Sequence, residues 1–357
     1  VVACDGARSA VRDALGLGFP GKGYPFVFLT TDVAVEWPFP YEQSYTFWKD
    51  GTSLGMMPVM RPNRFRVWTQ VDEPLVSTGV SHGFLQDEKP PLLEDLQTLA
   101  NAMIPGRVRL TDSRFVARYR VDCRLAENFR KGRCFLAGDA AHVHPASTFQ
   151  GMNTGIGDAH NLGWKLARAL RHSPSSRLLD SYESERRAVA QGVLEEADRA
   201  YFTLGRYDEA LAPMEKATER IVHGRFFEPW WQLQVNYRNT HKDRIGESPV
   251  QAGDRAPDGV VEGSDGNFRL HSLLRGADYV VLVFLPNRDC QIADLSPRLP
   301  SCDIYTIGEG GDFFDPGGRL RRLYGLPGGG VVLIRPDGYV ANRALLNEAE
   351  LLAKDFL

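Results

Sequence analysis

The chain has 357 residues, of which 43% are hydrophobic and 24% charged, an ordinary globular composition with room for two domains and a sizeable core. A net charge of -3, with 42 Lys and Arg residues dispersed along the chain, leaves no broad basic field for a phosphate backbone, so nucleic acid is excluded as an expected partner. The longest apolar run, Tyr279 to Pro286, is far short of the roughly 20 residues that cross a bilayer, and no membrane partner is expected.

The chain opens on a strand-like run, Val1-Val2-Ala3-Cys4, which ends at Asp5-Gly6. Gly16 to Gly21 then matches G-x-G-x-x-G letter for letter, but Pro20 and Pro25 and the lack of a following helical period point to an irregular turn. The stretch to about Arg120 reads as mainly β. Phe26 to Val35 has strand composition, Tyr45 to Trp48 and Ser53 to Met57 flank the turn Lys49-Asp50-Gly51, and Phe65 to Val71 follows a second turn. One helix, about Pro91 to Met103, interrupts the sheet.

From Gly132 to about Arg206 the pattern changes. A short apolar strand, Cys134 to Ala137, meets Gly138-Asp139, and a Gly-rich loop leads into a helix whose apolar steps are Ile156, Ala159, Gly163, Leu166, Ala167 and Leu170. A second long helix is expected from Leu178 to Tyr201, and Phe226, Phe227, Trp230 and Trp231 are expected to anchor the loop and helix region after it. Pro, Gly and Asp residues make 248–268 read as a linker. The remaining unit, 269–357, holds a buried-strand candidate, Tyr279 to Leu285, and a hairpin closed by Arg335-Pro336-Asp337-Gly338. The five cysteines, Cys4, Cys123, Cys134, Cys290 and Cys302, are an odd number without CxxC spacing, which suits a reducing compartment and a cytoplasmic location.

Chemistry concentrates at Gly138-Asp139-Ala140-Ala141-His142, followed by Pro145 and Gln150-Gly151-Met152-Asn153-Thr154-Gly155. A carboxylate delivered by a strand end accepts hydrogen bonds from sugar or ribityl hydroxyls, and glycines let backbone approach a flat ligand. A helix beginning near Asn153 would aim free N–H groups at the same place and favour negative charge there. The competing reading is a strand, a turn and a capped helix with no ligand. His142, His144 and His160 have no acidic or cysteine partner at ligand-like spacing, so no metal is expected. Neither Ser9 nor Ser147 sits in a nucleophile-elbow sequence.

Cys134 to Ala167, CFLAGDAAHVHPASTFQGMNTGIGDAHNLGWKLA, resembles the second FAD-binding motif of the class A flavoprotein aromatic hydroxylases. Asp5-Gly6-Ala7-Arg8-Ser9, followed by Val11-Arg12, is similar to that family's DG motif, which serves FAD and a transient nicotinamide cofactor. The end of the chain, including VVLIRPDGYVANR, resembles the thioredoxin-like domain of the phenol hydroxylase and polyketide hydroxylase branch.

The resemblance implies a mixed α/β and α+β fold. It comprises an incomplete Rossmann-like FAD-binding domain (1–25 and 121–247), an inserted β-sheet substrate domain (26–120), the linker, and a thioredoxin-like α/β domain (269–357). The latter lacks a cysteine pair, and a structural or homodimerising role is expected for it. FAD would be held by Asp5, Gly6, Arg8, Ser9, Gly138, Asp139, Pro145, Gly151, Met152 and Asn153. Tyr45, Phe47, Met56 and Trp68 are candidates for lining the substrate pocket, which Phe149 would narrow beside the flavin. Arg118 and Tyr119 are candidates for orienting a phenol or phenolate oxygen. The implied reaction is hydroxylation of a small phenolic or polyketide aromatic with NADPH or NADH and O2, through a flavin C4a-hydroperoxide. Epoxidation, halogenation, dehydrogenation and a non-catalytic remnant are the alternatives. The family's first strand, Gly-rich loop and helix precede its DG motif, so residues 1–357 are expected to be a truncated fragment, inactive alone.

Overall fold

The computed structural model describes residues 1–49, 52–71, 83–84, 92–171, 176–205, 231–241, 245, 248–290 and 302–355. Two compact units emerge, one of Val1–Gly155 with Ala190–Trp230, the other of Ile156–Val189 with Trp231–Leu357. Phe226, Phe227 and Trp230 lie outside the described residues, and Trp231 is exposed.

The first unit starts with β1 (Val2–Ala3) and a single-turn helix α1 (Ala10–Ala14), then the long strand β2 (Gly21–Glu36). The G-x-G-x-x-G stretch therefore runs into a strand and opens no helix, as its prolines indicate. There follow β3 (Tyr45–Lys49), β4 (Thr52–Pro58), β5 (Arg64–Val71), β6 (Gly83–Phe84), α2 (Leu93–Met103), β7 (Arg109–Thr111) and β8 (Val116–Leu125). Short strands β9 (Arg130–Lys131), β10 (Cys134–Leu136) and β11 (His142–Val143) lead to two long helices, α3 (Gly151–Arg171) and α4 (Ser176–Gly205). An eight-stranded sheet has the order β11-β8-β2-β5-β4-β3, with β6 added on β8 and β7 on β2.

Side-chain alternation gives this sheet two unlike faces. Leu29, Val33 and Val35 of β2, Leu54 and Met56 of β4, and Phe65 and Val67 of β5 form a core with Leu96, Ala100 and Ile104 on and just after α2. The other face is set by register, because residues directly opposite in antiparallel strands share a face. Phe28 pairs with Gln70 and with Tyr119, Thr30 with Trp68, Asp32 with Arg66, and Trp68 in turn with Gly55. Trp68 lies flat across Gly55, where a Cβ would overlap the indole. Only glycine permits this approach.

The second unit is built on a four-stranded sheet in the order β15-β14-β16-β17, with β14 (Tyr279–Phe284), β15 (Cys302–Ile307), β16 (Gly330–Ile334) and β17 (Val340–Ala344). All six residues of β14 are buried. Val280, Leu282 and Phe284 pack on one side with Leu270 and Tyr324, while Val281 and Val283 pack on the other with Trp164 of α3 and Leu178 of α4. A sheet covered on both faces explains the unbroken apolar run of β14.

Two expectations need correction in this unit. Residues 248–268 are no open linker, since Val250, Ala256 and Val261 fill the same core as Leu282, and β12 (Val260–Gly263) forms a hairpin with β13 (Gly266–Arg269). Nor do most of the apolar steps of α3 face inward. Ile156 and Leu170 are 59% and 87% exposed, whereas Asp158, Asn161 and Lys165 are buried. Beside the apolar Leu162 and Trp164, the buried side of the helix carries these polar residues because it meets an ion cluster. Glu185 accepts from Lys165 Nζ at 2.7 Å, from Asn161 Nδ2 at 2.7 Å, and from Arg335 Nη1 and Nη2 at 2.7 and 2.9 Å. Arg335 also donates from Nε to Asp337 Oδ1 at 2.9 Å and lies against the Trp164 and Tyr237 rings. The turn Arg335-Pro336-Asp337-Gly338, closed by Gly338 N–H to Arg335 O at 2.9 Å, thus carries two of the buried charges.

Candidate functional site

The two motifs meet because their strands do. β1 pairs in parallel with β10, Val2 opposite Phe135 and Ala3 opposite Leu136, so Asp5-Gly6 and Gly138-Asp139 leave the carboxyl ends of adjacent parallel strands. In open α/β sheets ligands bind at that edge. Ala137 N–H donates to Ala3 O at 3.0 Å, which fixes the two loops side by side.

The DG turn is organised around α1. Ser9 is buried and caps the helix by accepting from Arg12 N–H at 3.0 Å, and Asp5 Oδ2 accepts from Val11 N–H at 3.3 Å. The Ser9 hydroxyl, together with the Val11 and Ala10 N–H groups, holds the Asp5 carboxyl below its ordinary range. Gly6 turns with positive φ and Arg8 is exposed. Arg12, outside the expected cofactor set, ties the loops together. Its Nη2 donates to Ala7 O at 2.8 Å in the DG turn, its Nη1 to Ala140 O at 3.1 Å after Asp139, and its guanidinium lies 3.9 Å from the centroid of the Phe19 ring.

Gly138 adopts φ +60°, and its Cα is in close contact with Gly155 in the second turn of α3. The left-handed φ is what favours glycine at position 138. Asp139 is exposed, and no hydrogen-bond partner for its carboxylate is seen among the described residues. Pro145 is buried, its carbonyl 2.8 Å from His144 Nδ1, and the loop beyond it is fastened to α4 by Ser147 Oγ donating to Ala197 O at 2.7 Å and Gln150 Nε2 to Glu196 at 3.3 Å. Thr154 N–H donates to Gln150 O at 2.9 Å, the first bond of α3. The N–H groups of Gly151, Met152 and Asn153 therefore precede the helical ladder and point out of its positive end. Met152 and Asn153 are exposed, as is Phe149, which holds a left-handed φ of 54°.

Alternation divides the substrate candidates between the two faces of the sheet. Met56 is fully buried against α2, and Tyr45 and Phe47 pack beside it around Trp37, with Tyr45 OH donating to Pro40 O at 3.0 Å. Arg118 pairs with Leu29 and so belongs to that same face. Tyr45, Phe47 and Met56 belong to the α2 core, and all four residues lie on the face opposite Tyr119. Tyr119 lies on the opposite face, stacked on Phe28 at 5.2 Å, with Trp68 and Arg66. Burial pushes its hydroxyl up to about 12, with Arg66 pulling the other way. Near this face α4 packs Leu194 against Tyr24, Val121 and Cys123, with Phe28 and Tyr119 alongside, and the same helix anchors Ser147 and Gln150. Phe28, Trp68, Tyr119 and Arg66 are thus on the motif side of the sheet.

Among the described residues no cluster of three or more His, Cys, Asp or Glu forms a metal site, and no helix is long and apolar enough to cross a membrane. All five cysteines are free thiols.

Parallel strand ends, a positive-φ glycine, an uncommitted carboxylate and a helix N-terminus make up a candidate site whose chemistry suits a hydroxylated, partly anionic cofactor. Residues 1–197 match the FAD binding domain family, and the chain belongs to it. It is 31% identical over 355 residues to a flavin-dependent monooxygenase of Mycobacteroides abscessus, an alignment covering 95% of this chain and 62% of that protein. Among solved structures, the anhydrotetracycline hydroxylase of Streptomyces rimosus superimposes with a TM-score of 0.74 at 27% identity, over 96% of this chain and 65% of that one. Aklavinone-11 hydroxylase, solved in a ternary complex with FAD and aklavinone, gives a TM-score of 0.74 at 25% identity, over 99% of this chain and 66% of that one. The chain spans a little under two thirds of these proteins' lengths.

Proposed function

We propose that the protein is an FAD-dependent monooxygenase that hydroxylates an aromatic ring, with NADPH or NADH as reductant and O2 as co-substrate. The observation that carries this reading is the joining of the DG turn and the Gly138-Asp139 turn at parallel strand ends, in backbone contact with the start of α3. The residues present fit FAD: Asp139 would accept hydrogen bonds from the ribityl hydroxyls, and the Gly151, Met152 and Asn153 N–H groups would meet the electron-rich pyrimidine edge. Bound FAD supplies the redox chemistry, passing electrons from the nicotinamide to O2.

The chain's own work is positioning. Arg12 keeps the two cofactor loops in register, Ser147 and Gln150 fix the flavin loop on α4, and the half-buried Phe28, Trp68 and Tyr119 offer a flat apolar floor for a planar ring. Holding the ring in one plane over that floor restricts its approach to a near-attack geometry and keeps water from one face. The free thiols support a reducing, cytoplasmic location.

Asp139→Ala tests the assignment. It removes an exposed ligand group and no core volume, so flavin should be lost while the far-UV circular dichroism stays unchanged and the melting temperature matches that of the flavin-free parent. Full FAD occupancy in that variant would remove the basis for placing the cofactor here.

A further inference from the structure

We infer that Arg66, held in place by Asp32, selects aromatic substrates that carry an anionic oxygen, with Trp68 as the floor beneath the ring. This deepens the proposed function and rests on the Trp68 face being the substrate face.

Asp32 and Arg66 stand directly opposite in β2 and β5. Arg66 Nε donates to Asp32 Oδ1 at 2.8 Å and Nη2 to Oδ2 at 2.9 Å, a bidentate pair that fixes the guanidinium plane. That geometry uses two of its five N–H donors, and the Nη1 pair is directed away from Asp32. The Arg66 side chain is 48% exposed and the Asp32 side chain 18%. An isolated surface pair contributes little to stability, so folding alone gives weak reason to set one on an aromatic face.

The neighbours explain its placement better. The next row of the same face holds Thr30, Trp68 and Gly55, and the row beyond holds Tyr119, Phe28 and Gln70. Phe28 lies four residues along β2 from Asp32, roughly 13 Å at the strand rise, so a planar ring laid on Trp68 has a fixed cation at one end and a phenol at the other. The electrostatic coupling between Arg66 and Tyr119 agrees with both groups addressing the space over Trp68. A carboxylate, enolate or phenolate oxygen at the Arg66 end would take the Nη1 donors, while a neutral substituent would leave them competing for water. Arg118 cannot serve here, because it sits on the α2 face.

The test uses purified holoenzyme and two isosteric probes, anthracene-2-carboxylate and anthracene-2-carboxamide, titrated by the perturbation of the flavin absorbance. A charge-assisted hydrogen bond of about 1.5 kcal/mol corresponds to roughly tenfold tighter binding of the carboxylate. Arg66→Gln should bring the ratio of the two dissociation constants to about 1 and leave the carboxamide within about twofold of the parent, and Asp32→Asn should lower the ratio partway by loosening the guanidinium. A ratio near 1 in the parent, or one that survives Arg66→Gln, would overturn the inference. Trp68→Leu separates this from the underlying reading: loss of affinity for both probes supports the Trp68 floor, whereas unchanged affinity for both would place the substrate elsewhere whatever Arg66 does.

Discussion

Glu185→Gln changes one atom of a side chain that is fully buried among three donors. Lys165, Arg335 and Asn161 all donate to the carboxylate, and the Lys165 and Glu185 side chains have no exposed surface. Burial alone would raise the Glu185 carboxyl, but the charges of Arg335 and Lys165 and their hydrogen bonds hold it well below the usual carboxylate range. With glutamine there, Lys165 and Arg335 face each other with Asp337 as the remaining counter-charge. Removing one partner of a buried ion pair costs about 3–5 kcal/mol, and the amide oxygen still accepts one bond, so a loss of about 3 kcal/mol is expected. At about 2 °C per kcal/mol for a large chain, the melting temperature should fall by about 6 °C. The sign of the pH effect is set by the lowered carboxyl: its contribution is complete above the unfolded pKa of about 4.3 and is lost as pH falls below it. Urea denaturation between pH 6 and pH 3 should therefore show a steeper loss for the parent than for Glu185→Gln. Melting temperatures within about 1 °C of each other at pH 7, with parallel pH profiles, would mean that the cluster contributes nothing net, as happens when desolvation cancels attraction.

Arg12→Met keeps the bulk over Phe19 but removes both carbonyl contacts, so FAD affinity should fall by about tenfold or more for the loss of charged hydrogen bonds; unchanged affinity in a flavin titration would show that the loops hold themselves. Gly55→Ala should tilt the Trp68 indole and weaken both anthracene probes together without lowering FAD occupancy, and a crystal structure with the indole unmoved would contradict the close-packing argument. Iodoacetamide at pH 8 should label exposed Cys4 and spare Cys302, whose thiol burial pushes up to about 12; mass spectrometry of the digest reads the result. Cys290→Ser should leave turnover unchanged, and a large loss with unaltered assembly would reveal a thiol function.

Much of the fold is visible in short-range patterns. Tyr279 to Leu285 is apolar at every position because β14 is covered on both faces, the pairing of β3 with β4 follows from their sequence, and the turn at 335–338 declares its hairpin by composition. The pattern misleads where burial is polar. On α3 the apolar steps Ile156, Ala159 and Gly163 face outward, and the inward side carries Asp158, Asn161 and Lys165, whose compensating charges are Arg186 and Glu185 on α4 and Arg335 on the C-terminal hairpin. A period of 3.6 identifies a stripe; it does not say which stripe is buried when partners far along the chain neutralise the other one. The stretch 248–268 misleads in the opposite way, since its prolines and glycines mask the few apolar residues that anchor it.

The site divides along the same line. Asp139, Gly138 and the Gly151 to Asn153 turn are legible because a strand end, a positive-φ glycine and a helix start are all local events. Alternation alone also groups Tyr45 with Phe47 and Leu54 with Met56. What it cannot supply is the pairing register, and a shift of one residue exchanges every side chain between the faces of a sheet. Once Thr30 is opposite Trp68 and Leu29 opposite Arg118, Tyr45 and Phe47 on β3 belong to the α2 core and the adjacent pair Arg118-Tyr119 splits across the sheet. A cation that shares a face with Tyr119 is then Arg66, more than fifty positions away in sequence and two rows away in the sheet. One local signal does point to that face: a glycine at position 55, inside an otherwise regular strand, marks where something large must lie flat, and in this protein it is Trp68.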